Sequence, residues 1–403
     1  MLTATSARTG EIGLAGWTET VKRSALQEML TLGTGPDFIS FALGLPAQEL
    51  FPSAAIEEAV VATLRSGRHA LQYGPPLPAL KRQVVALMQE RGVRCCPEQV
   101  FLTCGAQQGM NLLARVLLAP ARGSVLLEEM AYTGFQQVLT PYQPTLLTVP
   151  TNPESGIDLA SVEALLAGGA RPAFMYTVTD GHNPMGVSIS QSNRSRLVEL
   201  ARRYRTPIVE DDAYGFLFYE EASPPPLRAL DDRWVFYVGS FSKILAPSLR
   251  AGWIIVPEEL MTYLSVVKEA SDIDMATLSH RTISAYLEAG QITEHLKNLR
   301  QEYRHRRDAM LRALEEHFPT EARWRRPASG FFIWVDLPAA INTTDLLKSS
   351  IAEAQVGFIP GQAFSVNGER GSHSLRLNFS NQPAARIEEG IARLGRLIKK
   401  SHA

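Results

Sequence analysis

The middle of the chain alternates between short apolar runs and amphipathic stretches. The apolar runs predict strands at 100–103, 124–128, 146–149, 173–178, 207–212, 235–238 and 252–256. The stretches between them place apolar side chains at helical spacing, which predicts helices over 104–118, from 132, over 159–166 and over 190–204. Strands that are apolar throughout and alternate with helices are typical of a mixed, mostly parallel sheet with helices on both faces. The pattern therefore predicts an α/β fold.

The two ends of the chain have a different pattern. Before the first strand, amphipathic segments and Gly/Pro-rich turns predict helices over 17–32, 53–66 and 78–91. After about residue 275 the prediction is helix 278–317, strand 330–335, helix 345–354, strand 374–379 and helix 383–399. Helices with few short strands indicate a smaller α+β unit. No Ser/Gly-rich linker separates this unit from the sheet, so we expect two packed domains with a cleft between them.

Polar side chains stand where the predicted strands end. In chain order they are Thr103 and Gly105, Glu128 and Tyr132, Asp180 and Asn183, Asp211 and Tyr214, and Ser240 and Lys243. In open α/β sheets, ligands bind outside the carboxyl ends of the strands. We therefore expect one functional site at this edge of the sheet.

Lys243 has the most distinctive surroundings in the chain. It follows an apolar strand, and an ammonium is costly in an apolar setting. Burial lowers the pKa of a lysine and frees its amine to form a Schiff base with a carbonyl group. The hydroxyl groups of Ser240 and Ser242 and the cation Arg250 suit a phosphate. A carbonyl and a phosphate together indicate pyridoxal 5'-phosphate (PLP). Taken alone, the segment also fits a solvated lysine at the junction of a strand and a loop.

Composition excludes several other classes of protein. The 403 residues include 40 basic and 41 acidic side chains, a net charge of −1 that gives no sign of a nucleic-acid partner. No apolar run is long enough to span a membrane, and the polar start of the chain does not resemble a signal peptide. Cys95, Cys96 and Cys104 form neither a disulfide framework nor a zinc-ligand pattern. We expect no metal and a reducing, cytoplasmic location.

Six segments carry a resemblance to a known family: 41–46, 71–74, 183–186, 210–214, 240–243 and 374–380. Together, in this order and at this spacing, they resemble the PLP-dependent class I/II aminotransferases, which have fold type I. Within that family the chain most resembles the branch of 2-aminoadipate and kynurenine aminotransferases and MocR effector domains. The resemblance extends from about Trp17 to the C-terminus. It implies an N-terminal arm and helix belonging to the small domain over 1–45, a large PLP-binding domain over 46–285 and a C-terminal small domain over 286–403.

The resemblance implies a role for each matching residue in turn. Lys243 is expected to hold PLP as a Schiff base and then to carry the proton during the reaction. Asp211 faces the pyridine nitrogen, while Tyr214 and Asn183 bind the phenolic oxygen. Arg376 binds the substrate carboxylate with its planar fork, and the backbone at Gly44 approaches the substrate. In isolation, Asp211 also fits a helix cap and Asn183 a plain turn.

The remaining implied contacts concern the ring and the phosphate of PLP. Tyr132 is expected to stack on the ring, although it also fits a core tyrosine. The phosphate is expected to bind at a helix N-terminus, and its predicted ligands are Gly105, Ala106, Gln107, Ser240, Ser242 and Arg250. Tyr73 is expected to reach the phosphate from a neighbouring subunit, which implies a homodimer with shared active sites. A turn tyrosine packed in the core is the alternative for Tyr73.

The sequence departs from the family pattern at several positions. Leu43 replaces a glycine, and its bulk is expected to narrow the substrate side of the cleft. Gln27 stands where the branch often has an arginine, and Arg23 lies one helical turn earlier. Asp180 and His182 replace uncharged residues before Asn183. We hypothesise that His182 takes part in acid–base chemistry; a structural histidine is the alternative.

Three functions follow from these observations. The first is an aminotransferase that moves the amino group of an α-amino acid to a 2-oxo acid by a ping-pong mechanism. The second is a biosynthetic PLP enzyme that catalyses elimination, decarboxylation or carbon–carbon bond formation on the same fold. The third is a PLP-sensing regulator of the MocR type. A regulator of this type carries a DNA-binding domain, for which the residues before Trp17 leave no room.

Overall fold

A computed structural model of the chain describes residues 13–20, 35, 37–118, 123–220 and 223–402. The strands are β1 Ile39–Ser40, β2 Val100–Thr103, β3 Ser124–Glu128, β4 Thr145–Val149, β5 Thr151–Asn152, β6 Gly156–Ile157, β7 Phe174–Val178, β8 Ile208–Asp211, β9 Val235–Ser240, β10 Gly252–Ile255, β11 Arg323–Trp324, β12 Phe332–Asp336, β13 Val356–Gly357, β14 Ile359–Pro360 and β15 Ser374–Asn378. The helices are α1 Ser53–Arg65, α2 Pro78–Glu90, α3 Ala106–Leu117, α4 Thr133–Leu139, α5 Leu159–Ala167, α6 Gln191–Tyr204, α7 Met261–Asp272, α8 Thr277–Glu288, α9 Ile292–His317, α10 Thr343–Ser349 and α11 Ala384–His402. Among these described helices, none is long and apolar enough to cross a membrane.

The central feature is a seven-stranded sheet in the order β2-β10-β9-β8-β7-β3-β4. Only β10 runs antiparallel to its two neighbours; the other pairs are parallel. The register places Val178 and Asp211, the last residues of β7 and β8, beside Val238, two residues before the end of β9. This sheet confirms the predicted α/β fold and explains why polar residues from distant parts of the chain meet at one edge.

Helices cover both faces of this sheet. On one face, Met110 and Leu113 of α3 pack among Phe101, Val125 and Ile254 in one apolar cluster. On the other face, α5 and α6 pack against β3, β7, β8 and β9 in a separate cluster. Gly109 lets α3 lie close to the sheet, because a Cβ there would come within 3.2 Å of Ile254. The N-terminus of α3 therefore lies beside the strand ends.

A four-stranded antiparallel sheet in the order β11-β12-β15-β14 forms the smaller unit. Its β15 places Arg376 opposite Trp334 on one side and Ile359 on the other. The N-terminal β1 pairs in parallel with β13, so the start of the described chain lies against the C-terminal part. The boundaries at residues 45 and 285 stay predictions.

One predicted helix is interrupted in the structure, and another lies largely outside the described residues. The single helix over 278–317 is wrong, because the structure has α8 and α9 separated by a break at Gly290, whose φ is +73°. That conformation ends a helix and is readily adopted only by glycine. The helix over 17–32 falls largely on residues outside the described part of the chain, as do Arg23 and Gln27. Residues Gly16–Thr20 form a short 3-10 helix.

Candidate active site

A cavity of about 270 Å³ opens at the carboxyl ends of the central strands, between the large sheet and the smaller unit. Its lining includes most of the residues that the sequence predicts for the site: Gly44, Ala106, Gln107, Tyr132, Asn183, Asp211, Tyr214, Ser240, Ser242, Lys243, Arg250 and Arg376. Gly105 lies next to this lining, and Tyr73 lies elsewhere. The topology therefore brings together residues from 44 to 376 in one cavity.

Lys243 follows the end of β9 and directs its amine into the cavity. Its Nζ donates a hydrogen bond to the carbonyl oxygen of Gly44 over 2.8 Å. Burial, together with the guanidinium groups of Arg376 and Arg250, lowers the pKa of Lys243 to about 8, against the opposite effect of Asp211. A substantial fraction of this lysine is therefore unprotonated slightly above neutral pH, as a nucleophilic amine requires.

Asp211 is the last residue of β8 and is buried. Its Oδ2 accepts a hydrogen bond of 2.8 Å from the hydroxyl of Tyr176 in β7, while Oδ1 has no hydrogen-bond partner among the described residues. Burial raises the pKa of Asp211 to about 6, although the Tyr176 hydrogen bond lowers it. A buried carboxylate oxygen without a partner at the floor of a cavity suits a ligand that donates a proton or carries a positive charge.

Arg376 lines the same cavity as Asp211, from β15 of the smaller unit. Its guanidinium lies between two aromatic rings, 4.1 Å from the centroid of Phe332 and 4.6 Å from that of Phe364. Nη1 donates to Oδ1 of Asn183 over 2.7 Å, and Nη2 donates to the carbonyl oxygen of Ala42. Nε is buried without a hydrogen-bond partner among the described residues. Burial lowers the pKa of Arg376 to about 10, so the group stays cationic at neutral pH.

The N-terminus of α3 forms a cradle for an anion. Gly105 has a φ of +87°, and a Cβ there would lie 2.7 Å from Arg250, so glycine is required where the arginine approaches the backbone. Arg250 is exposed and donates to the carbonyl oxygen of Cys104 over 3.1 Å. Ser240 Oγ accepts a hydrogen bond of 3.1 Å from the backbone N–H of Ser242. Free backbone N–H groups at a helix start, two hydroxyls and a cation suit a phosphate.

Two tyrosines complete the walls. Burial raises the pKa of both Tyr132 and Tyr214 above the ordinary value, so both stay neutral hydrogen-bond donors at physiological pH. The ring of Tyr214 meets the edge of Phe331 at 5.3 Å and of Phe332 at 5.9 Å between centroids. These contacts hold the Tyr214 ring at the junction of the two units.

His182 is buried behind the cavity and does not line it. Its Nδ1 accepts a hydrogen bond of 3.3 Å from the backbone N–H of Met185, and its Nε2 lies 3.3 Å from Oε2 of Glu128. Both ring nitrogens of His182 therefore lie against groups of the protein, and neither lines the cavity. This arrangement favours the structural alternative for His182, and its proposed acid–base role stays a hypothesis.

Tyr73 does not contribute to the cavity of its own chain. Its side chain is 73 % exposed, which contradicts the alternative of a turn tyrosine packed in the core. The backbone N–H of the next residue, Gly74, donates to Oδ2 of Asp274 over 2.8 Å.

Sequence reasoning missed several residues of the site. Tyr176 lies in a strand that reads as uniformly apolar, yet it precedes Val178 by two residues and Val178 pairs with Asp211. Side chains two apart in a strand share a face, but the pairing of β7 with β8 is set only in the assembled sheet, so no signal in the sequence marks this contact. Phe332 and Met110 also line the cavity, and both read as ordinary core residues.

The residues present fit PLP. The unpartnered Oδ1 of Asp211 can accept from a protonated ring nitrogen, and the cradle at α3 can receive the phosphate. The amine of Lys243 lines the same cavity. A mixed, mostly parallel α/β sheet with a lysine of lowered pKa, a buried aspartate and an anion cradle at its edge suits a PLP-dependent enzyme of fold type I.

Comparisons with known proteins agree with this class. Residues 36–394 match the family model for aminotransferase class I and II. The chain is 36 % identical to the 2-aminoadipate transaminase of Thermus thermophilus and 35 % identical to aromatic-amino-acid aminotransferase 1 of Thermococcus litoralis, over 94 % of this chain in both cases and over 94 % and 92 % of those proteins. The crystal structure of LysN from Thermus thermophilus, an α-aminoadipate aminotransferase complexed with N-(5'-phosphopyridoxyl)-L-leucine, superposes with a TM-score of 0.88 at 34 % identity, covering 96 % of this chain and 97 % of that one.

The chain belongs to the class I and II aminotransferase family. It is a PLP-dependent enzyme that transfers an amino group from an α-amino acid to a 2-oxo acid. The alternative of a non-transaminating PLP enzyme is not favoured by these relatives. The family resemblance and the fold type predicted from the sequence are confirmed.

Proposed function

We propose that this enzyme prefers amino donors with apolar or aromatic side chains. The observation that supports this proposal is the chemical character of the cavity wall. Its described charged side chains are Lys243, Asp211, Arg250 and Arg376, and each of these suits the cofactor or the α-carboxylate. The wall left for a substrate side chain is apolar and consists of residues such as Leu43, Leu45, Met110, Pro247 and Phe332. A second carboxylate would lose its hydration there without gaining a partner among the lining residues that the structure describes, which is unfavourable.

In the proposed mechanism Arg376 binds the α-carboxylate of the donor. Its position between Phe332 and Phe364 fixes the plane of the guanidinium, and the unpartnered Nε offers a further donor. A planar fork binds a carboxylate in one orientation. Asn183 receives a hydrogen bond from Arg376, so the same contact ties the substrate clamp to the cofactor wall.

Lys243 carries the proton in this proposal. PLP, when bound, supplies the carbonyl group and the electron-withdrawing ring. Burial and the neighbouring arginines hold the pKa of Lys243 near 8, so its amine can both accept and return a proton at the substrate α-carbon. Asp211 would hold a proton on the ring nitrogen of the bound cofactor, and Tyr214 and Asn183 would donate hydrogen bonds to its phenolic oxygen. The two half-reactions share this site, as a ping-pong mechanism requires.

We further propose a homodimer in the cytoplasm. Leu71, Tyr73 and Ile273 are each at least 70 % exposed, and a groove formed by 70–73 and 275–279 lies among them. A second copy of the chain is the proposed occupant of this apolar face, because Tyr73 lies outside its own cavity and a partner would bring it to a neighbouring one. All three cysteines are free, which suits a reducing compartment. Sedimentation of native protein and of Tyr73→Ser and Leu71→Asp variants tests the association.

A donor panel tests the substrate class. Purified enzyme with PLP and a 2-oxo acid acceptor is expected to give a kcat/KM for phenylalanine and leucine at least about tenfold above that for 2-aminoadipate. Leu43→Ala is expected to improve bulky aromatic donors relative to leucine, while Leu77→Ala, outside the cavity, leaves the ranking unchanged. A preference for 2-aminoadipate would overturn the substrate class. Transfer from none of the donors would overturn the proposed roles of the site residues.

A further inference from the structure

Two segments of the cavity wall are joined from behind by one arginine. Arg91 follows the C-terminus of α2 and is 8 % exposed. Its Nη2 donates to Oδ2 of Asp180 over 3.1 Å, and its Nη1 lies 3.4 Å from Oδ2 of Asp212. Asp180 precedes Asn183 by three residues, and Asp212 directly follows Asp211. A single guanidinium therefore joins the segment beside Asn183 to the segment beside Asp211, the two residues proposed to contact the ring of the cofactor.

Each of the two aspartates that Arg91 contacts also has a second partner. Arg194 of α6 donates to Oδ1 of Asp180 over 2.5 Å, and Tyr237 of β9 donates to Oδ2 of Asp212 over 3.0 Å. Both aspartates are almost completely buried, Asp180 with 0 % and Asp212 with 2 % exposure. Buried carboxylates need such partners, and removing one from a buried network leaves a charge without compensation.

The chain leaves room for the Arg91 side chain. A Cβ at Gly215 would lie 2.0 Å from Nη1 of Arg91, so a glycine is needed for the guanidinium to reach Asp212. On its other side, Cζ of Arg91 lies 5.3 Å from the ring centroid of Phe216, within the range of a cation–π contact. The glycine and the aromatic ring fix the position of the guanidinium on the line between the two loops.

We infer that Arg91 is a positioning residue that sets the spacing of Asp211 and Asn183 across the PLP ring. It does so through Asp212 and Asp180, and it does not itself touch the cavity. The inference rests on the proposed roles of Asp211 and Asn183. Because Asn183 also receives the hydrogen bond of Arg376, the bridge fixes the substrate clamp as well.

The test compares Arg91→Met with a matched control, Arg307→Met. Arg307 is fully buried, binds two carboxylates and lies 5.3 Å from the ring centroid of Tyr219, so its removal perturbs the fold in a similar way. Both variants are expected to lose thermal stability. Only Arg91→Met is expected to raise the dissociation constant of PLP, by about tenfold or more, and to change the absorption spectrum of the bound cofactor. Arg91→Lys is expected to restore part of the affinity.

Further measurements separate the outcomes. In native-state hydrogen exchange, residues 179–186 are expected to exchange faster in Arg91→Met than in Arg307→Met. If Arg91→Met does not fold, Arg91→Lys and Gly215→Ala are compared with the Arg307 control instead. The first replaces the guanidinium with an ammonium group, and the second displaces the guanidinium from Asp212. Native PLP affinity and spectrum in the folded Arg91 variants would overturn the inference, as would equal losses in the Arg307 control. Asp211→Asn separates a failure of the Arg91 inference from a failure of the proposed function. Unchanged PLP affinity in that variant would overturn the proposed role of Asp211 itself.

Discussion

Tyr176 offers a clean test of how the protein tunes Asp211. Its ring stacks on Phe135 with centroids 3.6 Å apart and 8° between the planes, so phenylalanine can occupy the same space. The only group lost in Tyr176→Phe is the hydroxyl that donates to Oδ2 of Asp211 over 2.8 Å. The variant therefore removes one hydrogen bond to one carboxylate.

The magnitude follows from the surroundings of Asp211. Burial raises its pKa from the ordinary value of 3.8 to about 6, and the Tyr176 hydrogen bond acts in the opposite direction. A hydrogen bond to a charged group contributes about 1.5–3 kcal/mol. One pKa unit corresponds to about 1.4 kcal/mol. Tyr176→Phe should therefore raise the pKa of Asp211 by about one to two units.

The assay is the pH dependence of PLP binding. The ionised form of Asp211 favours a protonated ring nitrogen, so binding weakens as the pH falls through the pKa of Asp211, and the midpoint moves to higher pH in the variant. In the cofactor-free protein, folding raises the pKa of Asp211, so the folded state binds more protons than the unfolded state between pH values of about 4 and about 6. The free energy of unfolding therefore falls as the pH rises through this range. In Tyr176→Phe this fall should continue to higher pH.

The control for this experiment is Tyr286→Phe. Tyr286 is also buried, but its hydroxyl has no hydrogen-bond partner among the described residues. The proposed effect of Tyr176 on the pKa of Asp211 is refuted if the midpoint pH of PLP binding in Tyr176→Phe stays within a few tenths of a pH unit of the native value. It is also refuted if the control shifts by the same amount.

Three further substitutions test other parts of the site. Arg376→Lys should lower kcat/KM for amino donors by about tenfold to a hundredfold and leave PLP affinity near native, because an ammonium cannot reproduce the planar fork; steady-state kinetics and a PLP titration check this. His182→Gln should leave the rate and the product distribution unchanged, since both ring nitrogens lie against protein groups and the residue does not line the cavity; a changed product ratio would support the acid–base hypothesis. Gly181→Ala should lower the free energy of unfolding by about 1–3 kcal/mol or more, because φ is +58° and a Cβ would lie 2.6 Å from Gly330; an unchanged denaturation midpoint would contradict that close approach.

Much of the site was predictable because its residues stand at strand ends. Lys243 and Asp211 each follow an apolar run, and the parallel sheet brings such positions to one edge whatever their distance along the chain. Arg376 was also predictable, since an arginine within an apolar strand needs a partner. The motifs that resemble the family placed the remaining residues of the cradle.

Other features depended on packing that a sequence does not display. The contact of Tyr176 with Asp211 needs the register of β7 and β8, which follows only from the assembled sheet. The bridge made by Arg91 joins loops about 90 and 120 residues away, and no local pattern marks it. The break at Gly290 was visible as a glycine, but charge-rich helical spacing continues on both sides and outweighed it in the prediction.

Lys243 is the lysine proposed to bind the cofactor covalently, and the other proposed roles depend on it. The most direct test loads the protein with PLP, reduces it with borohydride and identifies by mass spectrometry the residue that carries the phosphopyridoxyl group. A single modified site at Lys243 is expected, with no modification in the Lys243→Ala variant. Modification of a different lysine, or equal labelling of the variant, would contradict it.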